Sequence, residues 1–443
     1  MTTFTIPPAG QWSRWKKILF RFFFIYFLLF INPIGMSPTL PVWKYVQDGY
    51  DSLINWVVNV VDRHLFHIQP PPGVPIPVND GAGDTSYFWA ELCVFVLLAA
   101  IGCLVWSLLD RRRKNYDRLG YYLRTAIRYF TALMCFQYGI LKIFYLQMPA
   151  PSLSQLATPL GDFGSMRMCW MYMGYGSPYQ VFGGMLEVVA GLLLLYRRTV
   201  TLGLLTALGV FVNVAAMNLT YDIPVKGFSM ELTFCCLYLL IWDHQRLFSF
   251  LALNRPAGNT RLYEPVDSGK RMRIARVVLK LYFVYFAIGQ TFHADRNRYL
   301  QLHQAAAAAG PIHRGVYAVR VFALNQDTIP PSFMDSARWK DVIFDTRGRG
   351  SVNSPDTSFV RKYGYGRGLF HYETDSVTHL LTITKSTADH HVIMECRYEL
   401  PDSNTVFLRG RLHQDSLYVV LQRTDRQFQL SEWQFHWVSE ANR

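Results

Sequence analysis

The sequence predicts an α-helical polytopic membrane bundle of about seven transmembrane helices, followed by a C-terminal antiparallel β barrel or sandwich. Long apolar segments occupy the first two thirds of the chain. Each has a length close to the about 20 residues that a helix needs to cross a bilayer. Basic residues concentrate in alternate loops between them. Beyond residue 312 the apolar residues recur every second position, as in strands. Only 17% of the 443 residues are charged, against about 25% in soluble proteins.

The basic excess of the chain belongs to its apolar part. Residues 1–293 carry a net charge of +11 and residues 294–443 a net charge of +2, of the total of +13. Charges that flank apolar segments orient a membrane protein. We therefore expect the lipid bilayer, and not nucleic acid, to be the partner of these basic residues.

Seven segments have the length and composition of spans. They are 18–34, 87–109, 122–146, 179–196, 200–217, 228–242 and 277–291. The first resembles a signal peptide, but no small-residue cleavage site follows it, so we expect a retained anchor. With the N-terminus inside, the inner segments hold 17 Lys and Arg and the outer loops hold 4. This bias predicts a cytoplasmic N-terminus and an outer C-terminal domain.

Four regions follow from these patterns. Residues 1–119 hold two spans and a long outer loop, in which 45–65 has the spacing of an amphipathic surface helix. Residues 120–246 form a four-helix membrane core. Residues 247–311 hold a basic inner loop, the seventh span and an Ala-rich linker. Residues 312–443 form the β-rich domain.

The β-rich domain shows its strands by alternation. Apolar residues occupy every second position in three runs separated by turn residues: Val392, Met394, Cys396, Tyr398 and Leu400; then Val406, Leu408 and Leu412; then Leu417, Val419 and Leu421. Trp433, Phe435 and Trp437 repeat the period and are expected to close the sheet. An eight-stranded barrel can be filled by side chains or hold one small ligand, and we favour the filled core.

Charged residues within spans are functional candidates, because a charge in hydrocarbon is costly. The candidate intramembrane polar site comprises Arg128, Lys142, Glu187 and Glu231. The structural alternative is that the basic side chains snorkel to headgroups and that Glu187 is protonated or paired. Gly183, Glu187 and Gly191 share one helix face, which should look into the bundle, and Gly139 should let a neighbouring helix approach.

A second candidate site is a polar cap on the outer side of the bundle. It comprises Asp162, Asn213, Asn218, Asp222 and Lys226. The aromatic residues nearby are either interfacial anchors or the mouth of a binding site.

The sequence contains no GxSxG, HExxH, P-loop or strand-placed GxGxxG motif, so the catalytic residues are unknown and no metal site is predicted. It also lacks a CxxC pair. A bridge between Cys169 and Cys396 stays open, since nothing in the sequence fixes their separation.

Residues 120–246 resemble the DoxX-like family of four-helix membrane proteins. The resemblance rests on Arg128, Tyr138-Gly139, Lys142, Gly184, Glu187 and Gly191, then on Arg197-Arg198-Thr199 at a short inner turn and a helix ending near Asp243. It implies a compact four-helix bundle. The other spans and the β domain fall outside the resemblance and look like additions found in longer envelope proteins of bacteria. Together with the predicted orientation, we expect the bundle in the inner membrane and the β domain in the periplasm. Some members associate with quinone-linked redox systems, and others act as partners or assembly factors.

Three functions therefore stay in view. The first is a non-catalytic envelope module that binds a protein partner or a lipid through its outer face and β domain. The second is a quinone-linked oxidoreductase subunit or accessory, for which quinone would be the cofactor. The third is a small proton-coupled transporter that uses Glu187 with Lys142 or Arg128.

Overall fold

All seven apolar segments are mainly helical over their described residues in the computed structural model, which describes residues 11–32, 41–67, 83–256, 258, 262–265, 269–307, 310–331, 337–354, 356, 359, 366–385 and 391–431. The α-helices are α1 (Arg14–Ile31), α2 (Pro41–Val61), α3 (Ser86–Leu109), α4 (Asp117–Ile143), α5 (Leu153–Leu156), α6 (Ser165–Tyr175), α7 (Ser177–Leu195), α8 (Val200–Thr220), α9 (Lys226–Ile241), α10 (His244–Leu251), α11 (Lys270–Val284) and α12 (Thr291–Ala307). A π-helical turn, Tyr285–Gln290, joins α11 to α12.

The chain forms two compact units. The first contains Met1–Ile140 and Gly183–Phe292, and the second contains Leu141–Phe182 and His293–Arg443. This division differs from the four regions expected from the sequence. The loop between the third and fourth predicted spans shares a unit with the β-rich domain.

Three helices, fewer than the seven expected, are long and apolar enough to cross a membrane among the described residues. They are α3, α7 and α8, and they are compatible with membrane association. Of the other expected spans, α1 and α4 carry several basic residues each, while α9 and α11 have only 16 and 15 residues.

The C-terminal domain is an eight-stranded antiparallel barrel. Its strands are β1 (Gly315–Leu324), β2 (Asp327–Thr328), β3 (Asp341–Phe344), β4 (Arg349–Asn353), β5 (Gly368–Asp375), β6 (Leu380–Lys385), β7 (Val392–Glu399), β8 (Thr405–Leu412) and β9 (Asp415–Arg423). Each strand from β3 onward pairs with the next, and β1 pairs with both β3 and β9. The two-residue β2 pairs only with the end of β1. Strand β1 thus closes the barrel, whereas Trp433, Phe435 and Trp437 lie outside the described residues.

The predicted alternation is confirmed on β8 and β9 and is partly wrong on β7. Met394, Cys396 and Tyr398 are buried as expected, but Val392 and Leu400 at the two ends are exposed. A register shift against β6 places Ile393 inside the barrel as well. Such a bulge sets two residues against one, so the strict period of two fails there.

Large side chains fill the barrel interior. The core cluster includes Phe322, Trp339, Phe344, Phe370 and Tyr398, each nearly inaccessible to solvent. Aromatic rings pack edge to face, as between Phe344 and Tyr372 at 5.0 Å between centroids. This is the filled core favoured from the sequence.

Candidate functional site

The candidates of the intramembrane site lie on the helices α4, α7 and α9, and all four are buried or half-buried. Glu187 on α7 is only 1% exposed, which places it in the interior as predicted. Glu231 on α9 accepts a hydrogen bond from the Tyr26 hydroxyl of α1 at 2.7 Å. Arg128 on α4 is buried and lines a cavity beside α11. Lys142, also buried, belongs to the second unit.

Close packing of α4 on α7 surrounds Glu187. A Cβ added at Gly139 would lie 2.7 Å from the carbonyl oxygen of Gly184 and 3.1 Å from the Cβ of Glu187. Helix α4 therefore approaches through Gly139, as expected. The small residue beneath it is Gly184, whereas Gly183 has no atom within 4 Å of its added Cβ. The prediction that Gly183 shares the packed face of Glu187 and Gly191 is therefore wrong, and Gly184 takes that place.

Only part of the expected polar cap forms. Lys226 pairs with Asp222 at 2.7 Å, and the amide of Asn218 donates to the carbonyl of Val225 at 3.3 Å. Asn213 is exposed on α8, and Asp162 is an exposed residue of the second unit.

Sequence reasoning missed Asp84, which orders this cap. Its carboxylate accepts hydrogen bonds from the backbone N–H groups of Lys226 and Gly227 at 2.8 and 2.9 Å. It also lies 3.6 Å from the Nζ of Lys226. Asp84 thereby satisfies free N–H groups at the start of α9. The sequence does show Asp84 as an acidic residue just before α3. It does not show that this carboxylate reaches the first turn of α9.

A cavity of about 810 Å³ lies in the first unit between α4, the turn from α7 to α8, residues 263–265 and α11. Its lining includes Arg128, Arg197, Arg273, Arg276 and Lys280. The last three recur at i, i+3 and i+7 on α11, so helical spacing in the sequence could have placed them on one face. This volume is within the range of ligand sites, roughly 300–1,000 Å³.

In the second unit, the short helix α5 is joined to the barrel by polar contacts. The Ser351 hydroxyl donates to the Ser154 hydroxyl oxygen at 2.8 Å, and Nε of Arg367 donates to Ser351 Oγ at 3.0 Å. The backbone N–H of Leu153 donates to Asp345 Oδ2 at 2.8 Å. A capping box between Ser152 and Gln155 starts α5, and this S-x-x-Q pattern is visible in the sequence.

Apolar contacts extend this junction. Val316 and Ile343 are paired across β1 and β3 and are buried with Ala157, which follows α5. Leu153 and Phe428 pack against the same cluster. The loop after α4 is therefore an integral part of the barrel unit, which the sequence did not reveal.

The remaining chemistry is sparse. Cys169 and Cys396 are both buried free thiols, so the bridge left open above is absent. Burial raises the pKa of the Cys396 thiol to about 12. No group of three His, Cys, Asp or Glu among the described residues could hold a metal ion.

Fold and site together define a helix-rich, membrane-compatible protein with a C-terminal eight-stranded barrel. The chain is similar to the Uncharacterized protein YwoB of Bacillus subtilis (strain 168), with 30% identity over 148 residues. The match covers 33% of this chain and 88% of that protein, and the chain belongs to the same family as YwoB. No family model matches the chain, and no solved structure matches it.

Proposed function

We propose that the chain is a non-catalytic integral membrane protein of the bacterial envelope, which binds a protein partner through its barrel unit. The helical unit anchors the barrel unit in the inner membrane, with the N-terminus in the cytoplasm and the barrel in the periplasm. Residues 120–246 serve as a DoxX-like four-helix core, a proposal supported by the close packing of α4 on α7 at Gly139.

The main support for this proposal is the pair of chain segments that make up the second unit. Its two segments, Leu141–Phe182 and His293–Arg443, are far apart in the chain but pack through α5, β1 and β3. Segments that pack together must lie on the same side of a membrane. The distribution of basic residues independently assigns both of them to the outer side. The packing thus supports a single unit on one side of the membrane, and the basic residues favour the outer side for it.

The filled interior favours a protein partner over a small ligand for the barrel. Phe322, Trp339 and Phe370 occupy the space that a ligand would need in an eight-stranded barrel. Binding must then use the outer surface and the turns. Val377, at the turn between β5 and β6, is among the exposed large apolar residues of this surface.

Site-specific photo-crosslinking in intact cells tests this function. A photoreactive residue at position 377 should give one discrete adduct with an envelope protein, since that turn is exposed. The matched control places it at position 381, where Leu381 is 0% exposed inside the barrel, and should give none. Surface positions on all turns that give no adduct would contradict a partner-binding barrel.

A further inference from the structure

The cavity between α4 and α11 has a strongly cationic lining. Five basic side chains contribute to it, and among the described residues no Asp or Glu does. None of the five forms an ion pair within the described part of the chain. Like charges this close repel one another unless an anion or solvent compensates them. The cavity therefore has the electrostatics of an anion site.

Two polar groups in this lining are buried and lack hydrogen-bond partners. Arg128 is 7% exposed and its Nε has no partner among the described residues. Tyr263 is 6% exposed, and its hydroxyl is likewise without a partner there. The guanidinium of Arg128 lies 5.4 Å from the centre of the Tyr263 ring, so the two groups are neighbours. A buried polar group without a partner is destabilising, and an external acceptor would offset that cost.

Both groups are hydrogen-bond donors. Burial raises the pKa of Tyr263 to about 12, although Arg124 and Arg128 act against this rise. The hydroxyl therefore keeps its proton at neutral pH and can donate to an anionic oxygen. An arginine guanidinium stays charged in proteins and binds phosphate oxygens through its fork of N–H groups.

Most of the remaining cavity wall is apolar, and exposed apolar side chains lie beside it. Leu133 and Phe283 line it, and the ring of Phe283 packs at 4.9 Å from that of Tyr129. Val277 and Leu279 belong to the same lining but are mostly exposed. Contact with this apolar wall would stabilise a bound acyl chain, whereas a water-soluble anion would gain nothing from it.

We propose that this cavity binds an anionic phospholipid, with the phosphate between Arg128, Arg276 and Lys280 and an acyl chain along Phe283 and Leu133. Basic pockets between membrane helices are a recognised way of binding anionic headgroups. The basic residues belong to the ends of helices that the charge distribution assigns to the cytoplasmic side. The site lies in the helical unit and is independent of any partner of the barrel.

Native mass spectrometry of the full-length protein in mild detergent tests the proposal. Phosphatidylglycerol should add one tightly held molecule, while phosphatidylcholine, which has no net charge, should bind at least about ten-fold more weakly. Losing one charged hydrogen bond to the phosphate should weaken binding by roughly ten-fold or more in Arg276→Gln and in Lys280→Gln. Both residues are half-buried, so these variants should fold even where Arg128→Gln does not.

The matched controls are Arg271→Gln and Arg198→Gln. Both residues are exposed neighbours of lining residues but do not line the cavity. These variants should bind phosphatidylglycerol as the wild type does. An equal loss in the lining and control variants would mean that lipid adheres through net charge alone, and would overturn the proposal.

Two further experiments distinguish a phospholipid from other possible ligands. Inorganic phosphate at millimolar concentration should leave the bound lipid in place, and displacement would identify a soluble phosphate site instead. A solvent extract of the purified protein should contain anionic phospholipid that is depleted in Arg276→Gln. A quinone that is depleted in that variant, with phospholipid unchanged, would assign the cavity to redox chemistry and refute the proposal.

Discussion

The ion pair between Asp341 and Arg367 offers the sharpest test of how the barrel unit is held together. Arg367 is 2% exposed, contacts Asp341 and donates to Ser351, which in turn contacts Ser154 beside the barrel. Asp341→Ala would leave a buried guanidinium without its carboxylate. Breaking a buried pair costs about 3–5 kcal/mol, and the partial exposure of Asp341 favours the lower end. At roughly 2–4 °C per kcal/mol, the melting temperature should fall by about 6–12 °C.

Trapping of the Cys396 thiol measures this change in the full-length protein. That thiol is buried in the barrel, so it should react with an alkylating reagent only when the barrel opens. Heating in the presence of reagent, with peptide mass spectrometry, then gives a barrel-specific melting curve. The control is Glu399→Ala, because Glu399 and Arg409 form an exposed pair at 3.9 Å worth at most about 1 kcal/mol. Equal shifts for the two variants would show that the buried pair contributes no more to stability than the exposed pair does, contrary to this prediction.

Three other outcomes follow from the contacts. Gly139→Ala should destabilise the helical unit by about 1–3 kcal/mol, because the added methyl group would clash with a backbone carbonyl oxygen. Gly183→Ala should leave the stability unchanged, because there is open space around that glycine. Thermal melts in detergent compare the two variants. Asp84→Ala should lower the free energy of unfolding by about 1 kcal/mol, because it removes the acceptor of two backbone N–H groups. Asp222→Ala should lower it by less, because the Asp222 side chain is largely solvent-exposed. Denaturant titration compares the two variants. Because the folded pKa of Cys396 is about 12 and the unfolded value about 8.5, barrel stability should be constant below pH of about 8.5 and fall as pH rises toward 12. Cys396→Ala should flatten that fall in a pH series of circular-dichroism melts, and an unchanged slope would contradict this assignment.

Local patterns in the sequence were sufficient to predict an antiparallel β domain, but they left barrel and sandwich open and did not predict that β1 closes the sheet on β9. The alternation of Leu417, Val419 and Leu421 placed one face inside, and all three are buried. Turn residues then separated strands that pair with their neighbours in order, so little long-range information was needed. The exception is Ile393, where a bulge depends on the partner strand and cannot be inferred from one strand alone.

Contacts between distant segments could not be predicted in this way. The burial of Ala157 against Val316 depends on a loop and a strand that are more than 150 residues apart. The same limit applies to the cavity, whose lining comes from α4, α11 and the residues around Tyr263. Single charges such as Arg128 were recognised as costly within an apolar helix, but the sequence did not show which neighbours surround them.

We propose that the barrel lies outside the inner membrane and that the short loop after α3 lies in the cytoplasm. Single cysteines at Ser416 and Asn115, in a variant whose other cysteines are replaced, test it with a membrane-impermeant thiol reagent on intact spheroplasts. Ser416 is exposed at the start of β9 and should be labelled, while the residue at 115 should be labelled only after the membrane is permeabilised. Labelling at position 115 and not at 416 in intact spheroplasts would show the inverted topology and contradict this proposal.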